Sequence, residues 1–140
     1  MKRDFGIFQV GLKILLKKGN KMLVLRTDDG YVDLPGGRID NVEYESPVEK
    51  TIAREIREEL GSVRYTLGRP LFTYRRYSPK CKARIFVLVY EADYVSGTIR
   101  LSDEHIFHEW IGIGTFPFTG KDFVDEEIHR LFKKHFKTIS

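Results

Sequence analysis

The stretch that most constrains this chain begins at Ser46-Pro47-Val48-Glu49. Val48, Ile52, Ile56 and Leu60 follow one another at intervals of four, so on a helix they form a single apolar stripe. Ser46 is placed to cap that helix, Pro47 suits its first position, and Glu49 completes a capping box with Ser46. Gly61 then suits a left-handed terminus. A helix with one apolar side is stable only when another layer covers that side.

Strands are available to form that layer. Residues 7–16 alternate imperfectly between apolar and polar, and 21–26 return after the turn Lys18-Gly19-Asn20. A second turn, Thr27-Asp28-Asp29-Gly30, leads into a short strand at 31–34 that Pro35-Gly36-Gly37 breaks. Further strands are expected at 71–77, 83–91, 98–101 and 107–111. A second helix is expected from Asp122, with Phe123, Val124, Ile128, Leu131 and Phe132 on one face. Strands around two helices imply an α+β domain. The 140 residues suit one domain over 1–140.

Composition narrows the setting. Cys81 is the only cysteine, so no internal disulfide forms, which fits a reducing cytoplasm. No leader and no membrane-spanning run is expected. Lys and Arg exceed Asp and Glu by 24 to 20, a scattered surplus that favours an anionic small molecule and gives no support for binding DNA.

Chemistry concentrates in Arg54-Glu55-Ile56-Arg57-Glu58-Glu59-Leu60-Gly61. At roughly 100° per residue, Glu55, Glu58 and Glu59 crowd a quarter to a third of the helix circumference beside the apolar stripe. Such crowding costs stability unless a cation offsets it. Carboxylate oxygens alone favour a hard ion, Mg²⁺ or Mn²⁺. Glycines in Leu34-Pro35-Gly36-Gly37 let a backbone carbonyl approach the same ion.

Together, these two segments resemble the box of the Nudix (MutT-like) hydrolase family, G-x5-E-x7-R-E-U-x-E-E-x-G-U with U aliphatic. Arg54 to Gly61 match its second half in full, and Gly37 supplies the opening glycine. From Gly37 to Arg54 this chain is three residues longer than the family spacing. Glu43 stands at the family's first glutamate counting forward from Gly37, whereas counting back from Arg54 gives Ser46, with Glu45 beside it. Ser62 replaces the final aliphatic residue, and Val63 follows.

The resemblance implies a Nudix-type α/β/α sandwich with a mixed sheet. It also implies hydrolysis of a nucleoside diphosphate linked to a further group: a nucleoside triphosphate, a nucleotide sugar or a dinucleotide. Glu55, Glu58 and Glu59, with the Gly36 carbonyl, would hold Mg²⁺, Mn²⁺ being the alternative. Arg54 would orient a glutamate, and Glu58 belongs to the catalytic set. Glu43 or Glu45 would brace Arg54, and the position of Glu45 near the helix N-terminus favours it. Glu104, in a late loop, is the candidate base or distal ligand. Arg38, Arg75, Arg76 and Tyr77 are candidates for the substrate, with Lys82 and Tyr74 as further ones. His105 and His108 are three apart, and alternate strand residues share a face only at a spacing of two, so neither is assigned as a ligand. Two competing readings stand beside the small-molecule enzyme: a Nudix-like binding or sensor module without turnover, and an enzyme acting on RNA 5′ ends. Self-association as a homodimer is left open.

Overall fold

The computed structural model describes residues 2–103 and 105–138. In chain order it contains β1 (Gln9–Lys18), β2 (Lys21–Thr27), β3 (Val32–Asp33), β4 (Gly36–Arg38), α1 (Val48–Leu60), β5 (Arg64–Ser78), β6 (Ala83–Ser96), β7 (His105–Gly112) and α2 (Glu126–Thr138). Short 3₁₀ turns precede each helix, at Asn41–Glu43 and Gly120–Asp122.

The strands form one mixed sheet. β1 runs parallel to β6 from Gln9↔Ile85 to Lys17↔Asp93, and β5 lies antiparallel on the outer side of β6. On its other edge β1 is shared. It pairs with β2 only at Lys17↔Met22 and Lys18↔Lys21, and with β4 at Gly11↔Arg38, Leu12↔Gly37 and Lys13↔Gly36. The 35–39 segment therefore enters a fork between β1 and β2. The Ile14 N–H donates to the Pro35 carbonyl (3.0 Å), and the Ile39 N–H donates to the Val10 carbonyl (2.8 Å). β2 continues the sheet through β7 and β3.

Strand alternation divides the core between the helices. Leu12, Ile14 and Leu16 of β1, with Leu23 and Leu25 of β2, pack against Ile52, Ile56 and Leu60 of α1. Leu15, Met22 and Val24 point the other way, to Ile128, Phe132 and Phe136 of α2. The result is the α/β/α sandwich with a mixed sheet that the family resemblance implies. Among the described residues no helix is long and apolar enough to cross a membrane.

Several local expectations change. Ser46 does not cap α1: its N–H donates to the Glu43 carbonyl (2.9 Å), which makes it part of the preceding turn. Pro47, with ψ 143°, is the residue before the helix. A capping box does exist, one turn earlier. The Asp40 carboxylate accepts from the Val42 N–H (3.0 Å), and the Glu43 carboxylate accepts from the Asp40 N–H (2.9 Å). Gly36 and Gly37 form a strand, β4, because this segment pairs with the edge of β1. Residues 98–101 are not a strand. Val124 lies before α2 and is exposed, while Phe136, a full turn beyond Phe132, takes a place in the core.

Candidate active site

The box residues meet where α1 crosses the 33–37 segment. Helical spacing turns Glu55 and Glu59 inward along the edge of the apolar stripe, and both are buried, whereas the Glu58 side chain stays 60% exposed. Glu55 faces β4. A Cβ on Gly37 would collide with the Glu55 carboxylate, and one on Gly36 would collide with the Leu12 carbonyl. These two glycines thus admit both the strand pairing and the carboxylate. Gly36 also has φ 139°, a backbone conformation that L side chains rarely adopt.

Arg54 ties the site together. Its Nε and Nη2 donate to both oxygens of Glu43 at 2.7 and 2.6 Å, a bidentate pair. Nη1 reaches Glu58 at 3.0 Å, while Nη2 reaches Glu55 at 2.8 Å and the Arg38 carbonyl at 3.2 Å. The preference for Glu45 is therefore corrected: Glu45 is exposed, and Glu43 grips Arg54. The reason lies in the extra residues. They fall after the capped turn Asn41–Glu43, between Glu43 and α1, so Glu43 keeps its family distance from Gly37. The Asp40-x-x-Glu43 pattern was the sequence signal for this turn.

Electrostatics follow the geometry. The Arg54 hydrogen bonds hold the Glu43 carboxyl down at about 2, and the same pairing raises the Arg54 guanidinium. Burial pushes the Glu55 carboxyl up; Arg54 offsets part of this, and the charges of Glu58 and Glu59 add to it. Glu55 is thus a buried anion whose neighbours do not fully neutralise its charge.

Glu59 points to a second set of partners. Its Oε2 accepts from the Ser102 hydroxyl at 3.0 Å and from His105 Nδ1 at 2.9 Å. His105 Nε2 lies 3.0 Å from Asp33 Oδ2, and Asp33 also pairs with Lys13 at 3.2 Å. Burial alone would lower the His105 imidazolium, but the hydrogen bonds to Asp33 and Glu59 override it and raise it to about 9. For Asp33, burial works upward, yet Lys13 and His105 outweigh it and hold the carboxyl well below the usual range.

This chain of contacts corrects the strand argument about the histidines. Leu23 pairs with Trp110 and Leu25 with His108, all on the α1 side; a register shift at Arg26/Thr27 then sets His105 opposite Thr27. The shift adds a residue between them, which returns His105 to the same face as His108. Asp33, Ser102 and His105 were not read as site residues from the sequence, and nothing in residue spacing announces such a bulge.

The substrate candidates are divided by the sheet. Arg75 and Tyr77 lie on one face of β5, while the half-buried Arg76 lies on the other. Arg38 donates to the Gln9 side chain at 2.7 Å. Arg38 and Arg76 both act on Cys81, whose thiol is drawn down first by Ser78 and then by Arg38. Tyr74 is excluded as a stacking surface, because it is buried against Phe72 and Phe132. Glu104 lies outside the described residues.

Among the described residues no three His, Cys, Asp or Glu side chains are gathered closely enough to hold a metal ion. Glu58 turns to Arg54, and Glu59 turns to His105. In kind the donors still fit a hard divalent cation. They are oxygen only, Glu55 is an incompletely compensated anion, and the glycines beside it let the backbone lie directly against that carboxylate.

The model of the NUDIX domain family matches residues 5–132. No curated protein sequence matches this chain at a significant level. Among solved structures, the fold is similar to that of a MutT NUDIX hydrolase from Burkholderia pseudomallei, with 24% identity, 93% of this chain and 98% of that one covered, and a TM-score of 0.68. A MutT protein from Methanosarcina mazei is similar at 21% identity, with 92% of each chain covered and a TM-score of 0.70. An ADP-ribose pyrophosphatase from Streptococcus suis is similar at 17% identity, with 78% of this chain and 77% of that one covered and a TM-score of 0.59. These structural likenesses concern the fold, while the family match runs through the whole glycine strand and glutamate helix. The chain belongs to the NUDIX family of hydrolases.

Proposed function

We propose that this protein hydrolyses the pyrophosphate bond of a small nucleoside diphosphate derivative with the help of Mg²⁺, Mn²⁺ being the alternative ion. The observation that carries this reading is the buried Glu55 carboxylate held against Gly37 and flanked by the Arg54–Glu43 clamp. Buried negative charge at a glycine-lined backbone suits a cation that a phosphate anhydride can share.

Glu55, Glu58 and Glu59, with the Gly36 carbonyl, would hold the metal. When bound, the ion would offset the charge of the diphosphate and make water a stronger nucleophile at neutral pH. The protein's own part is orientation. Arg54 fixes Glu55 and Glu58 relative to each other through a guanidinium already locked on Glu43. Glu104 is the proposed proton acceptor for the attacking water. Arg38, Arg75, Arg76 and Tyr77 are the proposed contacts to phosphates and base, and their separation onto two faces means that one substrate engages a subset of them. The mild surplus of basic residues favours a small anion over a polymer. A reducing cytoplasm fits the single exposed cysteine.

The test is a panel of nucleoside triphosphates, nucleotide sugars, dinucleotides and 5′-triphosphate RNA, assayed with Mg²⁺ and with a chelator. Turnover of a small nucleotide that stops on chelation is the expected result. Turnover confined to RNA, or binding without turnover, overturns the small-molecule enzyme.

A further inference from the structure

Glu59 is the most deeply buried of the box carboxylates, with 3% of its surface exposed. Left alone, such a carboxylate would rotate toward any donor or neutralise. Its surroundings prevent both. Ser102 and His105 converge on one oxygen, Oε2, at 3.0 and 2.9 Å. His105 is itself fixed from behind, because Nε2 meets Asp33 Oδ2 at 3.0 Å. Carboxylates at neutral pH only accept, so a ring held between two of them uses both nitrogens as donors. Asp33 is held in turn by Lys13 Nζ at 3.2 Å and by the Leu34 N–H at 2.8 Å.

The placement of this chain is informative. Asp33 begins the segment whose end carries Gly37, and Gly37 faces Glu55. Asp33 and His105 thus join the two ends of the site, from the β3–β4 connection to the last turn of α1. Both of these donors use Oε2, which leaves Oε1 as the oxygen they do not occupy.

We infer that His105 and Asp33 are positioning residues for Glu59, a relay of hydrogen bonds from β3 through β7 that presents Glu59 Oε1 to the divalent cation. The inference rests on Glu59 being a metal ligand, as proposed above. Outer-sphere partners of ligands commonly govern metal affinity by about 10–100-fold. Asp33→Asn keeps an acceptor for the Leu34 N–H but removes the charge behind His105. His105→Gln keeps one donor and loses the two-sided clamp.

Mn²⁺ binding to the intact chain, followed by the paramagnetic signal of the free ion, tests this without turnover. Both variants are expected to raise the Mn²⁺ dissociation constant by about 10-fold or more. They are also expected to raise the Mg²⁺ concentration for half-maximal hydrolysis, with kcat recovering more than half-way at saturating Mg²⁺. Folded variants, judged by circular dichroism, that bind Mn²⁺ like wild type overturn the inference even if their melting temperature drops. Binding unchanged in Glu59→Gln overturns it as well. Mn²⁺ binding by the wild type that weakens in the Glu59, His105 and Asp33 variants, with nothing hydrolysed in the nucleotide panel, supports the relay and overturns only the enzymatic reading.

Discussion

The two helices have equal lengths of 13 residues and cover opposite faces of one sheet, yet they are packed by different means. α2 seals its face with rings. Phe132 meets Phe72 at 5.7 Å, Tyr74 at 5.6 Å and Phe123 at 5.3 Å between centroids, and Phe136 closes the same cluster. α1 seals its face with aliphatic side chains and buries two carboxylates beside them, Glu55 and Glu59. Burial of charge is costly unless partners compensate; here Ser102 and His105 hold Glu59, while Arg54 offsets only part of the cost for Glu55. The aromatic face therefore carries stability. The carboxylate face gives up some stability to hold charge in place.

If the two faces have separate tasks, damage to the aromatic face spares the chemistry. Phe132→Ala should cost about 3–5 kcal/mol of stability, as for truncation of a buried aromatic residue. Its kcat/KM per folded molecule should stay near wild type below the unfolding transition. Denaturant unfolding combined with initial rates measures both; a large loss of kcat/KM in the folded fraction would end the division of labour.

Glu58→Gln is the reverse experiment. Its carboxylate is mostly exposed, so stability should change little. Activity should fall by about 10²–10³-fold, the range for loss of one preorganised electrostatic contact. Near wild-type rates at saturating Mg²⁺ would remove Glu58 from the site.

Acid unfolding probes the Arg54 clamp on the carboxylate face. Glu43 is held at about 2 against an ordinary 4.5. A lowered carboxyl stabilises the fold in full above its unfolded value, and this contribution disappears as pH falls through the folded one. Wild type should therefore lose melting temperature more steeply than Glu43→Gln between about pH 4.5 and pH 2. Parallel curves would mean that the Arg54 clamp adds nothing to stability.

The smallest expected effect belongs to Glu45→Gln. Glu45 is exposed on the loop before α1, so stability should shift by less than about 0.5 kcal/mol and activity hardly at all. A loss comparable to that of Glu43→Gln would show that the loop rearranges around substrate.

Local patterns in the sequence determined a good deal. Spacing of four placed Ile52, Ile56 and Leu60 in the core, and the same helical period set Glu55, Glu58 and Glu59 along one edge of that stripe. The glycine pair, read as a break that lets a carbonyl approach a metal ion, instead pairs as β4 with β1 and lies against the Glu55 carboxylate. These features depend on a few neighbouring residues and on the geometry of one helix or strand. Tertiary structure decided the rest. Glu43 prevailed over Glu45 because a capped turn ends on Glu43 and leaves the added residues after it, and Ser46 lost its capping role by bonding back to that turn. Tyr74 was taken from the candidate site by a helix more than 50 residues further along the chain. His105 reached Glu59 through a bulge that strand alternation does not encode. Each outcome depends on what two distant segments do when they meet, and periodicity along a single segment carries no record of that.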